Sequence, residues 1–498
     1  MSDPEPRSAA ALIDLADRHY QARDWSAALR HYRDVLALDP GVASEQGVPL
    51  LVAHCLIELD GGVAPDGGGV PPSADLPRYR ALITDLRCRL LELSYAGDFA
   101  RAVALLGTLA PVDRSIRYAR ETVTGGPSPC LALLDAIPEP KDPPFVAALR
   151  VDARDVPAIK ARHAGDRLLL VFQRYADDPE RRHDLVDNIA LAAREFGLSV
   201  RELNSHVLRP GSTCEDFAGE LLQEILAFRP HVILYDDLFH LGISAANPAV
   251  VEAVGSVLEQ ARTQLGVRVV RTLPDGWSTA LQGDDHLFLG LGQSVDLLHH
   301  CHPAILDRGT PAQQAATWCY TYPTSIEPAS VARGGIPRAC FVGGVHYASM
   351  ARAVWWIEAA RQNLPIDFVI TLRWQREHLV RPMITDVEYS NLLAGHQFSI
   401  NLTQRFSGVR ILTGRTMEIM LAGGVLLEED SVDTAYFFQP GVHYMPFQTL
   451  ADLRHLIDRL LADPARCRAL AEAGRQWTAR YCGGDYFWAE MYARLDRL

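Results

Sequence analysis

From Arg167 onward the apolar positions follow two alternating rhythms. Short unbroken apolar runs give way to longer segments in which apolar residues return at helical spacing, and the runs then resume. A short run bounded by turn residues is a strand buried on both faces, and the longer period belongs to a helix with one apolar face. The pattern predicts strands over Arg167–Phe172, Leu198–Leu203, His231–Tyr235, Val267–Arg271 and Val295–Leu298. Helices are expected between them over Leu185–Phe196, Phe217–Phe228 and Val250–Leu265. A second series begins near Arg338, with strands expected at Ala339–Val342, Phe368–Leu372, Phe398–Leu402 and Val425–Leu427 and an edge strand within Gly441–Phe447. Its helices are expected at Ser349–Arg361, Glu388–Ala394, from Thr413, over Leu450–Leu461, from Asp463-Pro464 and over Tyr486–Leu495. Strands alternating with helices are βαβ units, so the fold class is α/β with two Rossmann-like αβα domains. Such sheets place ligands beyond the carboxyl ends of their strands.

The chain before this region is helical. Ala16, Tyr20, Trp25, Ala28, Tyr32 and Leu36 put small and aromatic residues on facing sides of two helices, and Leu38-Asp39-Pro40 closes the second. This hairpin resembles a tetratricopeptide repeat, in which small residues let the helices approach and rings fill the gap. A weaker hairpin runs from Tyr79 to Leu109 and turns at Ala96-Gly97-Asp98. Gly61–Pro72 between them reads as a flexible insertion, and Gly125–Pro144 as a linker. The expected division is a TPR-like helical domain with its linker over 1–145, a first Rossmann-like domain over 146–335 and a second over 336–498. The helical domain has two readings that stand together: it packs on the rest of the chain, or it docks a protein.

Composition narrows the partners. Across 498 residues, 48% hydrophobic and 22% charged content is that of a globular protein. A net charge of -13 argues against nucleic acid and anionic membranes as partners. The nine cysteines are scattered singly, which fits a reducing, cytoplasmic setting and gives no zinc spacing. The opening Met-Ser-Asp-Pro-Glu-Pro-Arg has no signal-peptide pattern, and no apolar run is long enough for a membrane span.

Candidate chemistry concentrates in Leu412–Leu427. Thr413-Gly414 is a helix-start signal, Arg415 and Glu418 lie three residues apart on one helical face, and Ala422-Gly423-Gly424 stops the helix before an apolar strand. A helix N-terminus with a cation and a carboxylate one turn inside it suits a nucleoside diphosphate. The free N–H groups and the Arg take phosphate, and the carboxylate accepts ribose hydroxyls. The same residues also describe a surface helix with an ion pair.

The wider order of motifs extends this reading. Arg415-x-x-Glu418, Met420–Leu427, Phe437-Phe438-x-Pro-Gly441, Leu460–Pro464, Arg468 and Ala473-Gly474 together resemble the carboxyl-terminal domain of GT-B glycosyltransferases. The resemblance is to the group that includes spore-maturation-type enzymes with family-1-like domains, and it covers Phe341 to the end. It implies a cleft between two Rossmann-like domains, a nucleotide-sugar co-substrate and no bound metal, because the helix dipole and basic residues offset the diphosphate. It implies that Glu418 takes the ribose and that Thr413, Gly414 and Arg415 lie near the diphosphate. Arg410 and Arg373 are further cations that could offset phosphate charge, and Gly343 and Gly344 mark a close backbone approach. Phe437, Phe438 and Trp477 are expected in the core.

Many retaining members of the wider class carry a second glutamate about eight positions before the ribose one, and Arg410 stands there in this chain. The resemblance therefore fixes neither stereochemistry nor sugar. An inverting enzyme needs a base near the acceptor hydroxyl. Candidates at strand ends of the first sheet are Asp236, Asp237, His299 and His300, with Asp177, Asp178 and His183 in the loop after the first strand. His300-Cys301-His302 invites a metal, but no third ligand accompanies it. Two functions from different classes follow: a glycosyltransferase, with a protein acceptor docked on the helical domain, or a non-catalytic repeat-bearing scaffold with a degenerate transferase body. A dinucleotide oxidoreductase ranks below both, because Phe172-Gln-Arg-Tyr175 stands where G-x-G-x-x-G belongs.

Overall fold

The computed structural model describes residues 8–21, 24–39, 76–110, 113–135, 138–172, 184–204, 214–236, 248–273, 284–326, 329–345, 350–372, 384–403 and 410–498. The insertion expected at Gly61–Pro72 lies outside them. Among the described residues five helices come first: α1 (Ala9–Gln21), α2 (Trp25–Leu38), α3 (Leu76–Tyr95), α4 (Phe99–Leu109) and α5 (Arg114–Val123). Both expected hairpins are present. Ala16, Ala28 and Tyr32 are buried between α1 and α2, where the Tyr32 hydroxyl donates to Asp17 at 2.5 Å. Asp98 caps α4 through its side chain after the Ala96-Gly97 turn.

The first sheet is wholly parallel in the order β2-β1-β3-β4-β5-β6. Its strands are β1 (Arg167–Phe172), β2 (Ser199–Asn204), β3 (Val232–Asp236), β4 (Arg268–Leu273), β5 (Leu297–His300) and β6 (Thr317–Cys319). Helices α6 (Val156–His163), α7 (Asp184–Phe196), α8 (Cys214–Phe228) and α9 (Pro248–Leu265) accompany it. The apolar runs land where expected, with two departures. β5 starts two residues later than its apolar run, because Val295 bridges to Leu291 in a tight turn and Asp296 leaves the ladder to accept the Val269 N–H and pair with Arg262. That shift draws His299 and His300 into the strand. β6 is an additional strand, too short to leave a period in the sequence.

The second sheet is also parallel, in the order β11-β10-β9-β7-β8. It comprises β7 (Ile336–Val345), β8 (Ile366–Leu372), β9 (His396–Asn401), β10 (Val425–Glu429) and β11 (Met445–Phe447). Its helices are α10 (Ala351–Arg361), α11 (Asp386–Gly395), α12 (Gly414–Ala422), α13 (Val432–Phe437), α14 (Leu450–Leu461) and α15 (Pro464–Tyr481), and α16 (Gly484–Leu495) closes the chain. Counted from its own first strand, the first sheet runs 2-1-3-4-5-6 and the second 2-1-3-4-5. Each therefore has a switch point between its first and third strands, where connections leave in opposite directions and open a crevice.

Two features depart from three separate bodies. Leu90, Leu106 and Ile116 of α3–α5 share one apolar core with Trp355 and Trp356 of α10 and with Phe398 and Phe447 of the second sheet. Arg120 of α5 reaches Glu358 of α10 at 3.1 Å, and Arg361 holds the same buried carboxylate at 2.6 Å. The reading in which the helices pack on the rest of the chain thus describes α3–α5. At the other end, α16 leaves the second sheet and packs on α6 and α7, burying Phe487, Trp488 and Tyr492 with Phe196 and Trp318. The described residues of the linker run along the second domain: Ser128 N–H donates to Asp452 and Lys141 N–H to Gln439. No helix among the described residues is long and apolar enough to cross a membrane.

Candidate functional site

The carboxyl ends of β7 and β9 and the start of α12 meet at the switch point of the second sheet. α12 begins at Gly414 with Thr413 in the N-cap position and ends at Gly423, whose φ of +85 turns the chain into β10. Met417, Ile419 and Met420 anchor its inner face in the core. Burial of each such side chain contributes about 1.5–3 kcal/mol, which fixes the face the helix shows outward. Thr413 makes no side-chain cap. Its hydroxyl instead accepts from Asn401 Nδ2 at 2.9 Å, an amide at the end of β9 that also reaches Thr416 Oγ1 and Glu428 Oε2. The first amides of α12 thus receive no side-chain oxygen from the cap residue, although the Thr416 N–H reaches the Thr413 carbonyl at 3.1 Å.

Arg415 turns inward over β7. A Cβ placed on Gly343 would come within 3.1 Å of its Nη2 and 3.2 Å of its Nη1. The glycine is therefore there to admit the guanidinium, which also lies 5.7 Å from the Phe341 ring. Burial works against the charge on Arg415, but the Tyr389 and Glu418 oxygens overcome it and hold its pKa above the ordinary value. Tyr389 of α11 donates to Glu418 Oε2 at 2.5 Å. Burial, and then the Glu418 charge, push its phenol well above the usual range. Tyr322, from the segment joining the two sheets, completes the wall: its hydroxyl would stand 2.9 Å from a Cβ on Gly414. The assembled group is a cation, a carboxylate one helical turn further on, two phenols and a helix N-terminus.

Of the other expected donor residues, Gly344 lies with Gly343 inside β7, paired with Thr371 of β8, so the glycines are strand rather than the turn after it. Arg410 reaches Glu429 at 3.3 Å, spending its charge on a buried carboxylate of β10. Arg373 lies outside the described residues. Phe437 and Phe438 are buried in the core, and Trp477, partly buried against it, donates to the Phe437 carbonyl at 3.0 Å and stacks on His443.

The candidate bases at the first sheet sit differently. Asp236 ends β3 and is fully buried. His299 is enclosed by Trp318 and Phe487 and engages Thr272 through Nδ1 and the Tyr320 carbonyl through Nε2. Burial pulls its pKa down to about 4. His300 is also fully buried, and its Nδ1 accepts the His302 N–H at 3.1 Å. Burial, then the neighbouring His302 and His299, hold its pKa well below the ordinary value. Both are strand residues in this fold and neutral near pH 7. Asp237, Asp177, Asp178 and His183 lie outside the described residues. Among the described residues no group of three or more His, Cys, Asp or Glu is placed to hold a metal ion.

Several residues were not singled out from the sequence. Tyr389, Tyr322 and Asn401 are single polar or aromatic positions whose meaning appears once α11, β6 and β9 are placed. His302 and Asp433 form a buried pair across the domain junction, with Nδ1 donating to Oδ2 at 2.5 Å. Glu428 and Glu429 could have been noticed as two carboxylates ending an apolar run, which is an uncommon place to bury charge.

Residues 352–486 match the family described as glycosyl transferase-like. No curated protein matches the chain at the sequence level. Among solved structures, HepE of Anabaena in complex with UDP and glucose is 11% identical, with a TM-score of 0.42, over 67% of this chain and all of that one. Sucrose-phosphate synthase of Thermosynechococcus elongatus is 14% identical, with a TM-score of 0.45, over 67% and 99%. The glycosyltransferase SnogD of Streptomyces nogalater is 13% identical, with a TM-score of 0.37, over 66% and 99%.

Proposed function

We propose that this chain is a glycosyltransferase that draws a sugar from a nucleotide-sugar donor held at the amino-terminal end of α12. The observation that carries the reading is the placement of Arg415 and Glu418. A guanidinium is seated over a glycine that leaves room for it, and a carboxylate stands one turn further along a helix whose first amides lack a side-chain cap. The first amides and Arg415 offer a diphosphate N–H donors in one place, as phosphate sites at helix N-termini do. Glu418 accepts the hydroxyl of Tyr389, and a ribose diol offers a carboxylate the same chemistry. The match of residues 352–486 to a glycosyl transferase-like family supports the reading, since it spans α12, β10 and the helices behind them.

In this reading the diphosphate charge is offset by Arg415 and the helix dipole, without a resident metal. A protein acceptor, if used, meets α1 and α2, because α3–α5 are occupied by α10. Thermal-shift measurements against a panel of nucleoside diphosphates and nucleotide sugars test the proposal. A nucleotide that stabilises the wild type but not Glu418→Ala supports it, because a ligand bound to the folded state alone raises the melting point by mass action. A panel with no stabilising member argues for the scaffold.

A further inference from the structure

Beneath the amino-terminal turn of α12 lies a carboxylate for which the proposed reaction has no role. Glu428 ends β10 with no exposed surface. Its partners are three neutral donors: Asn401 Nδ2 on Oε2 at 2.9 Å, and the hydroxyls of Thr416 and Thr434 on Oε1, each at 2.9 Å. Among the described residues, none of its hydrogen-bond partners is a cation. Buried carboxylates are ordinarily paired with one, so this arrangement is held by geometry rather than by charge. Thr416 is the third residue of α12, and Asn401 simultaneously holds Thr413 Oγ1 at its N-cap. Glu428 is therefore joined by one or two hydrogen bonds to both ends of the turn on which the donor diphosphate is proposed to sit.

We propose that Glu428 is a positioning residue of the donor site, fixing the first turn of α12 through Thr416 and Asn401, and that donor affinity depends on whether it carries a proton. The inference rests on the donor reading above. An ionised Glu428 places a negative charge behind the same helix end that receives the diphosphate, and the two compete for one positive potential. A protonated Glu428 keeps the scaffold and removes the competition. The pocket holds an acceptor for that proton as well, since Asn401 Oδ1 is buried with no partner. Turning the amide over presents it to a Glu428 O–H.

The groups facing Glu428 from each packed element are few. Glu429 follows it on β10 and adds negative charge, and Arg415 on α12 offsets it. Tyr444, just before β11, senses its charge. Thr416, Thr434 and Asn401 are neutral. Burial is the largest influence and pushes Glu428 up to about 7, against the downward pull of Asn401, Thr434 and Thr416.

The test is the affinity of UDP-glucose and GDP-mannose for the full chain between about pH 6 and about pH 8, measured by calorimetry. The diphosphate of a nucleotide sugar stays fully ionised over this range, so a pH dependence belongs to the protein. Wild type is expected to bind about tenfold more weakly at the upper pH, the scale of one charge–charge interaction across a protein site. Glu428→Gln, which keeps the shape and fixes the neutral form, is expected to bind tightly and without pH dependence. Thr434→Val removes one donor to the ionised form without touching α12, and should move the midpoint upward. That variant carries the test if Glu428→Gln does not fold. Binding by wild type that is independent of pH, a Glu428→Gln profile that follows wild type, or an unmoved Thr434→Val midpoint overturns the role of Glu428 alone. Failure of wild type to bind either probe at any pH overturns the donor reading, and this inference with it.

Discussion

Glu418 and Arg415 act as a pair through a third residue, Tyr389. The phenol donates to the carboxylate at 2.5 Å and lies against the guanidinium. Tyr389→Phe removes that donor while keeping the ring, so nucleotide affinity should fall about tenfold, the scale of one hydrogen bond to a charged group, with the melting point nearly unchanged. An unchanged dissociation constant would remove Tyr389 from the site. Glu428 gives a pH prediction for the fold itself. Its pKa in the folded chain is about 7, against 4.5 for the free side chain, so the folded state holds the proton over a range where the unfolded state has lost it. The stability it supports is complete below about pH 4.5 and is lost as the pH rises through about 7. Glu428→Gln should flatten that part of the curve of melting temperature against pH, and a slope identical to wild type would contradict the assignment. The residue types at the site were readable in advance, since Thr413, Gly414, Arg415 and Glu418 lie in one continuous stretch. Gly343 is marked in the sequence as a close backbone approach, but Tyr389, Tyr322 and Asn401 are not, because they come from three separate segments and only the sheet order brings them together.

At the scale of elements, α12 follows its sequence from end to end. Thr413-Gly414 starts it, and Gly423 stops it in a left-handed conformation that a side chain resists. Gly423→Ala should cost about 1–2 kcal/mol in a denaturant melt, because the strained φ must be kept for β10 to begin on time. A neutral result would mean that the turn adopts another geometry. β5 shows where sequence pattern fails. The apolar run Val295–Leu298 is visible, but the strand is Leu297–His300, because the turn at Leu291–Val295 and the Asp296 contacts claim the first two residues. Hydrophobicity alone ends the strand before His299 and His300 and leaves them at its cleft end. Neighbouring Thr272, Trp318 and Phe487 make them core residues instead. Paired strands set register through contacts that no local window contains.

For the whole molecule, the two-sheet plan was legible from alternation, and the junctions were not. The return of α16 to α6 and α7, the His302–Asp433 pair and the shared core of α3–α5 with α10 all join residues far apart in the chain. They imply that the helical region divides in two. Deleting residues 1–39 removes a hairpin whose buried residues face one another, and should leave the melting point within a few degrees. Deleting residues 1–145 strips α10 of its cover and leaves Glu358 without Arg120, so that truncation should melt well below the full chain or aggregate. Equal stability of the two truncations would contradict the shared core. The property that decides the function of the molecule is whether the end of α12 holds a nucleotide. Thermal-shift titration of wild type and Glu418→Ala against nucleoside diphosphates and nucleotide sugars asks this directly. A saturable rise in melting temperature for wild type, absent in a Glu418→Ala variant that melts normally without ligand, is the predicted result. No rise with any nucleotide, or an equal rise in both proteins, would contradict it.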